Sequence, residues 1–154
     1  MLHDVGKIGV PEEILSKPGK LTDEEFEIVK KHPEMGYEIL KPISDFEPIL
    51  EGVLHHHENP DGSGYPHGLA GDAIPLFAGV LHVVDVFDAL TSRRSYRDAF
   101  STEKALSIIR SEAGTKLNAE LVDAFLRGLQ RFQDEQYDLF IEMFPSGKPM
   151  EDPA

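Results

Sequence analysis

Over residues 75–91 the chain carries its most strongly apolar segment, in which Leu76, Val80, Val83, Val84, Phe87 and Leu90 follow Pro75. Their steps of three and four describe a broad apolar face on a helix, and such a face needs other elements to cover it. The segment therefore predicts a helix buried in a bundle. His82, Asp85 and Asp88 fall into the same segment at successive steps of three. A carboxylate in a buried helix is costly unless it is paired or metal-bound. Asp85 is read as a site residue in preference to a cap or ion-pair partner. Asp88 stands level between the two readings, and His82 reads as a packed or partly exposed histidine.

The remaining segments also have helical character. Pro11 starts a short helix that Pro18-Gly19 ends. Thr22 and Glu25 have the spacing of a capping box, ahead of apolar Phe26 and Val29. That helix is expected to stop at His32, because Pro33 disfavours helical geometry in the residue before it. A second helix from Pro33 carries Met35, Tyr37, Ile39 and Leu40, and a third is expected over 46–57. Ser101 caps a helix with Ala105, Leu106, Ile108 and Ile109, which Gly114 terminates, and Asn118 caps one with Leu121, Val122, Phe125, Leu126 and Leu129. A last amphipathic piece holds Tyr137, Phe140 and Met143. No period-two alternation and no repeat is found, so the fold class is all-α. One domain is expected over 1–144, with a disordered Pro-rich acidic tail over 145–154.

The chemistry concentrates in His55-His56-His57-Glu58-Asn59-Pro60-Asp61-Gly62-Ser63-Gly64-Tyr65-Pro66. Three imidazoles and a carboxylate end an apolar run, and a turn-forming loop with a rigid aromatic follows at once. His3, Asp4 and Lys7 bring three more chemical groups close together near the start. His32 falls at a helix junction, where a capping role is its ordinary alternative.

Cysteine is absent, so any metal must be held by His and carboxylates. The formal net charge of -13 argues against a DNA-binding groove, which needs a basic face. Arg93, Arg94 and Arg97 form a small basic cluster, which a helix end would also favour through its dipole. The chain shows neither a membrane span nor a signal peptide, and a cytoplasmic location is expected.

His3, Asp4, His32, His56, His57 and Asp85 come from separate elements that a bundle can bring to one cavity. With a carboxylate able to bridge, such a set suits two ions about 3.5 to 4 Å apart, an arrangement used for phosphoryl-ester hydrolysis. Mixed imidazole and carboxylate ligands favour Fe, Mn or Zn over Mg.

His3-Asp4-x-Gly6-Lys7, His32-Pro33-x-x-Gly36, His56-His57-Glu58, Asp61-Gly62-x-Gly64-Tyr65-Pro66 and Asp85-Val86-Phe87-Asp88-Ala89-Leu90-Thr91 together resemble the HD-GYP branch of the HD phosphohydrolases. The resemblance runs in order from Leu2 to about Leu126. It implies a helical bundle of the HD-domain type and two or three divalent transition metals, with Fe or Mn first. It also implies hydrolysis of cyclic di-GMP to linear pGpG or GMP in bacterial signalling.

Carried over residue by residue, the resemblance makes His3, Asp4, His32, His56, His57 and Asp85 metal ligands, with Asp4 the bridge. It makes Lys7 a catalytic residue beside the scissile phosphate, with Asp4. Arg94 and Arg97 match phosphate-contacting positions, and Gly64, Tyr65 and Pro66 match the substrate loop. Family members carry helices upstream of the His-Asp motif that add a further metal-ligating histidine, so the chain is expected to be an amino-terminally truncated domain with weak activity or none. Apolar surface left uncovered would suit a homodimer or a partner. The alternative is an impaired module that binds cyclic di-GMP or a diguanylate cyclase or sensor domain.

Overall fold

The computed structural model describes residues 2–93 and 98–136, together with 139 and 143. Arg94, Arg97, Tyr137, Phe140 and the 145–154 tail, all singled out above, lie outside the described residues. Among the described residues there is no strand, only isolated bridges pairing Asp61 with Ala70 and Ala113 with Leu117. The all-α expectation holds.

A 3-10 helix over Leu2–Gly9 opens the chain, followed by α1 (Glu12–Leu15), α2 (Asp23–Val29) and α3 (His32–Leu40). Thr22 caps α2 with the expected reciprocal pair, its hydroxyl accepting from the Glu25 amide while Glu25 accepts from the Thr22 amide. The expected end at His32 is corrected: α2 stops at Val29, and His32 is the first residue of α3, with Pro33 next to it in the first turn. A proline there lacks only an amide that would have no helical partner anyway.

The expected helix over 46–57 divides into a 3-10 helix (Ser44–Ile49) and α4 (Leu50–His55). Pro48 sits inside the 3-10 stretch; it removes an amide and crowds the preceding turn, so α-geometry begins only after it. A loop with a short 3-10 turn (Gly71–Ala73) leads to α5 (Leu76–Thr91), and α6 (Thr102–Glu112) and α7 (Ala119–Glu135) complete the described fold. Ser101 and Asn118 cap α6 and α7 as their positions predict.

Two apolar cores result. Val83 and Phe87 of α5 pack with Ala105, Leu106 and Ile109 of α6, and with Leu117 and Val122. Leu40, Leu50 and Val53 form the other, with Val5, Tyr37, Phe46 and Ile49 around them. Gly52 lets α5 approach α4, since a Cβ there would come within 2.3 Å of the Phe77 ring. The expectation that the apolar face of α5 is buried holds for Val83 and Phe87 and is corrected for one side of it. Leu76, Val80 and Val84 are exposed, because no described element packs over that side. No helix among the described residues is long and apolar enough to cross a membrane.

Candidate metal centre

The site lies where the Leu2–Gly9 segment, α3, the end of α4 and α5 meet. Gly6 permits the closest of these approaches. A Cβ on it would sit 1.9 Å from the His32 carbonyl oxygen and 2.5 Å from the Gly36 amide nitrogen. The three-residue repeat of the 3-10 geometry also stacks Lys7 over Asp4, and Lys7 Nζ donates to Asp4 Oδ2 at 2.6 Å.

His32 and His56 are almost wholly buried. Each Nδ1 lies 2.7 Å from a carbonyl oxygen three residues earlier, that of Val29 for His32 and of Val53 for His56. A carbonyl only accepts, so both rings carry their proton on Nδ1. Burial, with the His3 and His32 imidazoles nearby, pushes His56 down to about 4, so its ring stays neutral at physiological pH. The two Nε2 atoms face each other at 3.3 Å. Asp4 Oδ1 faces both, 3.4 Å from His32 Nε2 and 4.0 Å from His56 Nε2. Converging lone pairs of this kind fit a cation.

The second oxygen of Asp4 looks the other way. His3 Nε2 lies 3.8 Å from Asp4 Oδ2 and 3.5 Å from Asp85 Oδ1, and it is buried without a hydrogen-bond partner. One carboxylate thus stands between a histidine pair and a His-Asp pair. Burial by itself would raise Asp4, but contact with the His32 imidazole, the hydrogen bond from Lys7 and the charges of Lys7 and His3 hold it well below the usual carboxylate range. Asp85 is likewise lowered: burial would raise it, and the adjacent His3 imidazole outweighs burial. Two sets, His32-His56-His57 and His3-Asp4-His56, bring their ligand atoms within 4.8 Å of one another.

Burial, then the neighbouring His56 and His32, pushes His57 down to about 2. Its ring stacks on Tyr65 with centroids 4.8 Å apart. Burial, with Asp85 and Asp4 nearby, raises the Tyr65 hydroxyl, so it remains a neutral phenol. Gly64 belongs to the same tight turn, because a Cβ there would meet the Asn59 amide nitrogen at 2.3 Å. Pro66 is half-buried beside Tyr65. A groove of about 570 Å³ opens beside Lys7, with Lys17, Lys20, Leu15 and Phe26 among its lining, and Phe26 meets the Tyr65 ring edge-on.

Glu58, which the sequence places beside the histidines without assigning it a role, closes the loop that follows. It is 1% exposed, and its carboxylate accepts from the His67 and Leu69 amides at 2.8 and 3.0 Å, which closes the Tyr65 loop. His82, read as packed or partly exposed, is buried with Nδ1 2.8 Å from the Glu58 carbonyl. Only the adjacency of Glu58 to two site histidines hinted at the former role. Asp88 is exposed and accepts from the Ser92 hydroxyl, outside the site. Arg93 pairs with Asp98 at the surface.

The family model described as HD domain matches residues 1–121. The chain is 49% identical over 138 residues to "Cyclic di-GMP phosphodiesterase response regulator RpfG" of Xanthomonas campestris pv. campestris, covering 88% of this chain and 36% of that protein. It is 39% identical over 139 residues to "3'3'-cGAMP-specific phosphodiesterase 3" of Vibrio cholerae, covering 90% and 30%. The chain spans about a third of the length of these relatives. Among solved structures, the HDG"Y"P protein Bd1817 from Bdellovibrio bacteriovorus superposes with a TM-score of 0.61 at 19% identity, over 79% of this chain and 38% of that one. With motifs, fold and family model in agreement, the chain belongs to the HD domain family, in its HD-GYP branch.

Proposed function

We propose that this chain is the catalytic domain of a metal-dependent cyclic dinucleotide phosphodiesterase that opens cyclic di-GMP to linear pGpG or, after a second cleavage, GMP. The observation that carries the reading is the pair of Nε2 atoms of His32 and His56, 3.3 Å apart with Asp4 Oδ1 facing both. Two divalent transition ions, Fe or Mn, suit the donor set. His32, His56 and His57 would hold one, His3 and Asp85 the other, and Asp4 would reach both. When bound, such ions stabilise charge on a phosphoryl group and make water more acidic.

The chain's own residues have separable tasks. Asp4 keeps its charge throughout the physiological range and fixes the spacing of the two halves. Lys7 spends one N–H on Asp4 and stands at the groove, where its other N–H groups would donate to a phosphate oxygen. Tyr65 offers an aromatic face on which a purine can lie, and Gly64 and Pro66 shape the loop that holds it. Arg94 and Arg97 would clamp phosphate as planar guanidinium forks. In a chain of net charge -13 these local cations are what attract an anionic substrate.

The higher identity to a relative named for cyclic di-GMP than to one named for 3'3'-cGAMP supports the choice of substrate. A diguanylate cyclase or sensor domain, or a second copy of the chain, is the partner this reading expects. The test is turnover of both cyclic dinucleotides by the Mn(II)- or Fe(II)-loaded chain beside the H56A/H57A variant, with metal content measured in each. The expected result is cleavage of cyclic di-GMP above the variant's rate and metal lost from the variant. Equal rates or equal metal content would overturn the reading.

A further inference from the structure

His55, the last residue of α4, is 6% exposed, and its Nδ1 is buried without a hydrogen-bond partner. One turn earlier in the same helix, Glu51 brings Oε2 to 3.4 Å from His55 Nε2. A carboxylate accepts, so this contact favours the ring proton on Nε2 and leaves a lone pair on Nδ1. That lone pair faces another acceptor, Glu58 Oε1, at 3.6 Å. Two buried acceptors turned toward each other are unfavourable without a cation between them. No hydrogen bond from Nδ1 to Glu58 bridges the pair.

The third group is His67, which is exposed and whose ring centroid lies 5.2 Å from that of His55. One ligand atom from each of His55, Glu58 and His67 falls within 4.8 Å of the others. Ligand atoms around a tetrahedral zinc ion, with bonds of about 2.0 to 2.1 Å, stand roughly 3.3 Å apart. The Nδ1 to Oε1 separation of 3.6 Å is close to that spacing.

We propose that His55, Glu58 and His67 form a second metal site, which takes a borderline divalent ion, Zn(II) in first place, with water completing the shell on the exposed side of His67. Glu51 is then the carboxylate behind a ligating histidine that fixes its tautomer and orientation. The three ligands share no residue with the sets around Asp4. The ion ties the end of α4 to the loop that carries Tyr65, reinforcing the grip of Glu58 on the His67 and Leu69 amides.

The experiment compares the chain with His67→Ala, whose substituted ring is exposed. Both are titrated with Co(II) as a spectroscopic stand-in for Zn(II), and bound metal is counted by elemental analysis. The variant is expected to bind one equivalent fewer and to lack the d–d absorption of that equivalent. Loading should also slow hydrogen exchange of the His67 and Leu69 amides in the parent chain only. Glu51→Gln should weaken the site on the order of tenfold without removing it. Occupancy of the Asp4 centre is common to the proteins and cancels in the comparison. Equal stoichiometry and equal spectra in the parent and His67→Ala would overturn the proposal.

Discussion

Gly6→Ala is expected to dismantle the proposed metal centre without touching a proposed ligand. The added Cβ would lie 1.9 Å from the His32 carbonyl oxygen, 2.5 Å from the Gly36 amide nitrogen and 2.9 Å from the His32 carbonyl carbon. All three are backbone atoms and cannot swing aside. Carbon needs about 3.5 Å for an ordinary contact, so the Leu2–Gly9 segment must back away from α3 by roughly 1.5 Å. His3 and Asp4 ride on that segment, and metal ligands tolerate errors of only about 0.2 Å. The Asp4 contact to His32, now 3.4 Å, would open by a comparable amount. A loss of about 100-fold or more in metal affinity follows. Overpacking adds about 1 to 3 kcal/mol of instability, or roughly 5 °C in melting temperature. Gly9→Ala in the same segment is the control, since its Cβ would press only on the flexible Met35 side chain. Metal titration and thermal melts of the two variants decide the matter. A Gly6→Ala protein that binds metal like the parent refutes the reasoning.

Three further outcomes follow from the same geometry. Because His56 is held at about 4 in the fold against about 6.5 in an open chain, the folded state binds fewer protons in between; the stability from its neutral form is present above pH 6.5 and is lost as pH falls toward 4, about 3 kcal/mol from this residue. His57 acts in the same direction, so the metal-free chain should melt progressively lower from pH 7 to pH 5, and a flat profile would contradict the burial argument. Glu58→Gln replaces an acceptor-only group with one that presents N–H to a backbone amide; it should cost about 1 to 3 kcal/mol and speed hydrogen exchange at His67 and Leu69, with no change expected in α7. Thr22→Ala breaks the capping box of α2 and should cost about 1 kcal/mol, read by denaturant unfolding, while metal content stays at the parent level.

What could be read from the sequence was what short range determines. The caps at Thr22, Ser101 and Asn118 depend on residues three positions away, and they stand where the pattern put them. The candidate set was legible because His and Asp have few reasons to recur among apolar helices, and the side chains of His3, Asp4, His32, His56, His57 and Asp85 do converge, as the proposed metal centre requires. The role of Glu58 was not legible, since its partners are amides 9 and 11 residues away whose direction only the loop geometry sets. Periodicity likewise marks Leu76, Val80 and Val84 as one apolar face but contains no information on what packs against it. The orientation of His82 toward a carbonyl 24 residues earlier is equally non-local.

The Tyr65 loop is anchored from a distant part of the chain. The Asp61 amide donates to the Thr115 carbonyl at 3.1 Å, and Lys116 Nζ lies 3.1 Å from Asp61 Oδ2 while also donating to the Ser63 hydroxyl. These partners lie in the turn between α6 and α7, 53 residues from Ser63 in the case of Lys116. Closing so long a span costs chain entropy that only docking of the carboxy-terminal helices can offset. The histidines paired with Asp4 all lie within residues 2–57, whereas the loop over them is tied to the turn between α6 and α7. Loosening of that distal hairpin, by heat or by a core substitution such as Ile109→Ala, would thus be felt first at the mouth of the site and last at its ligands.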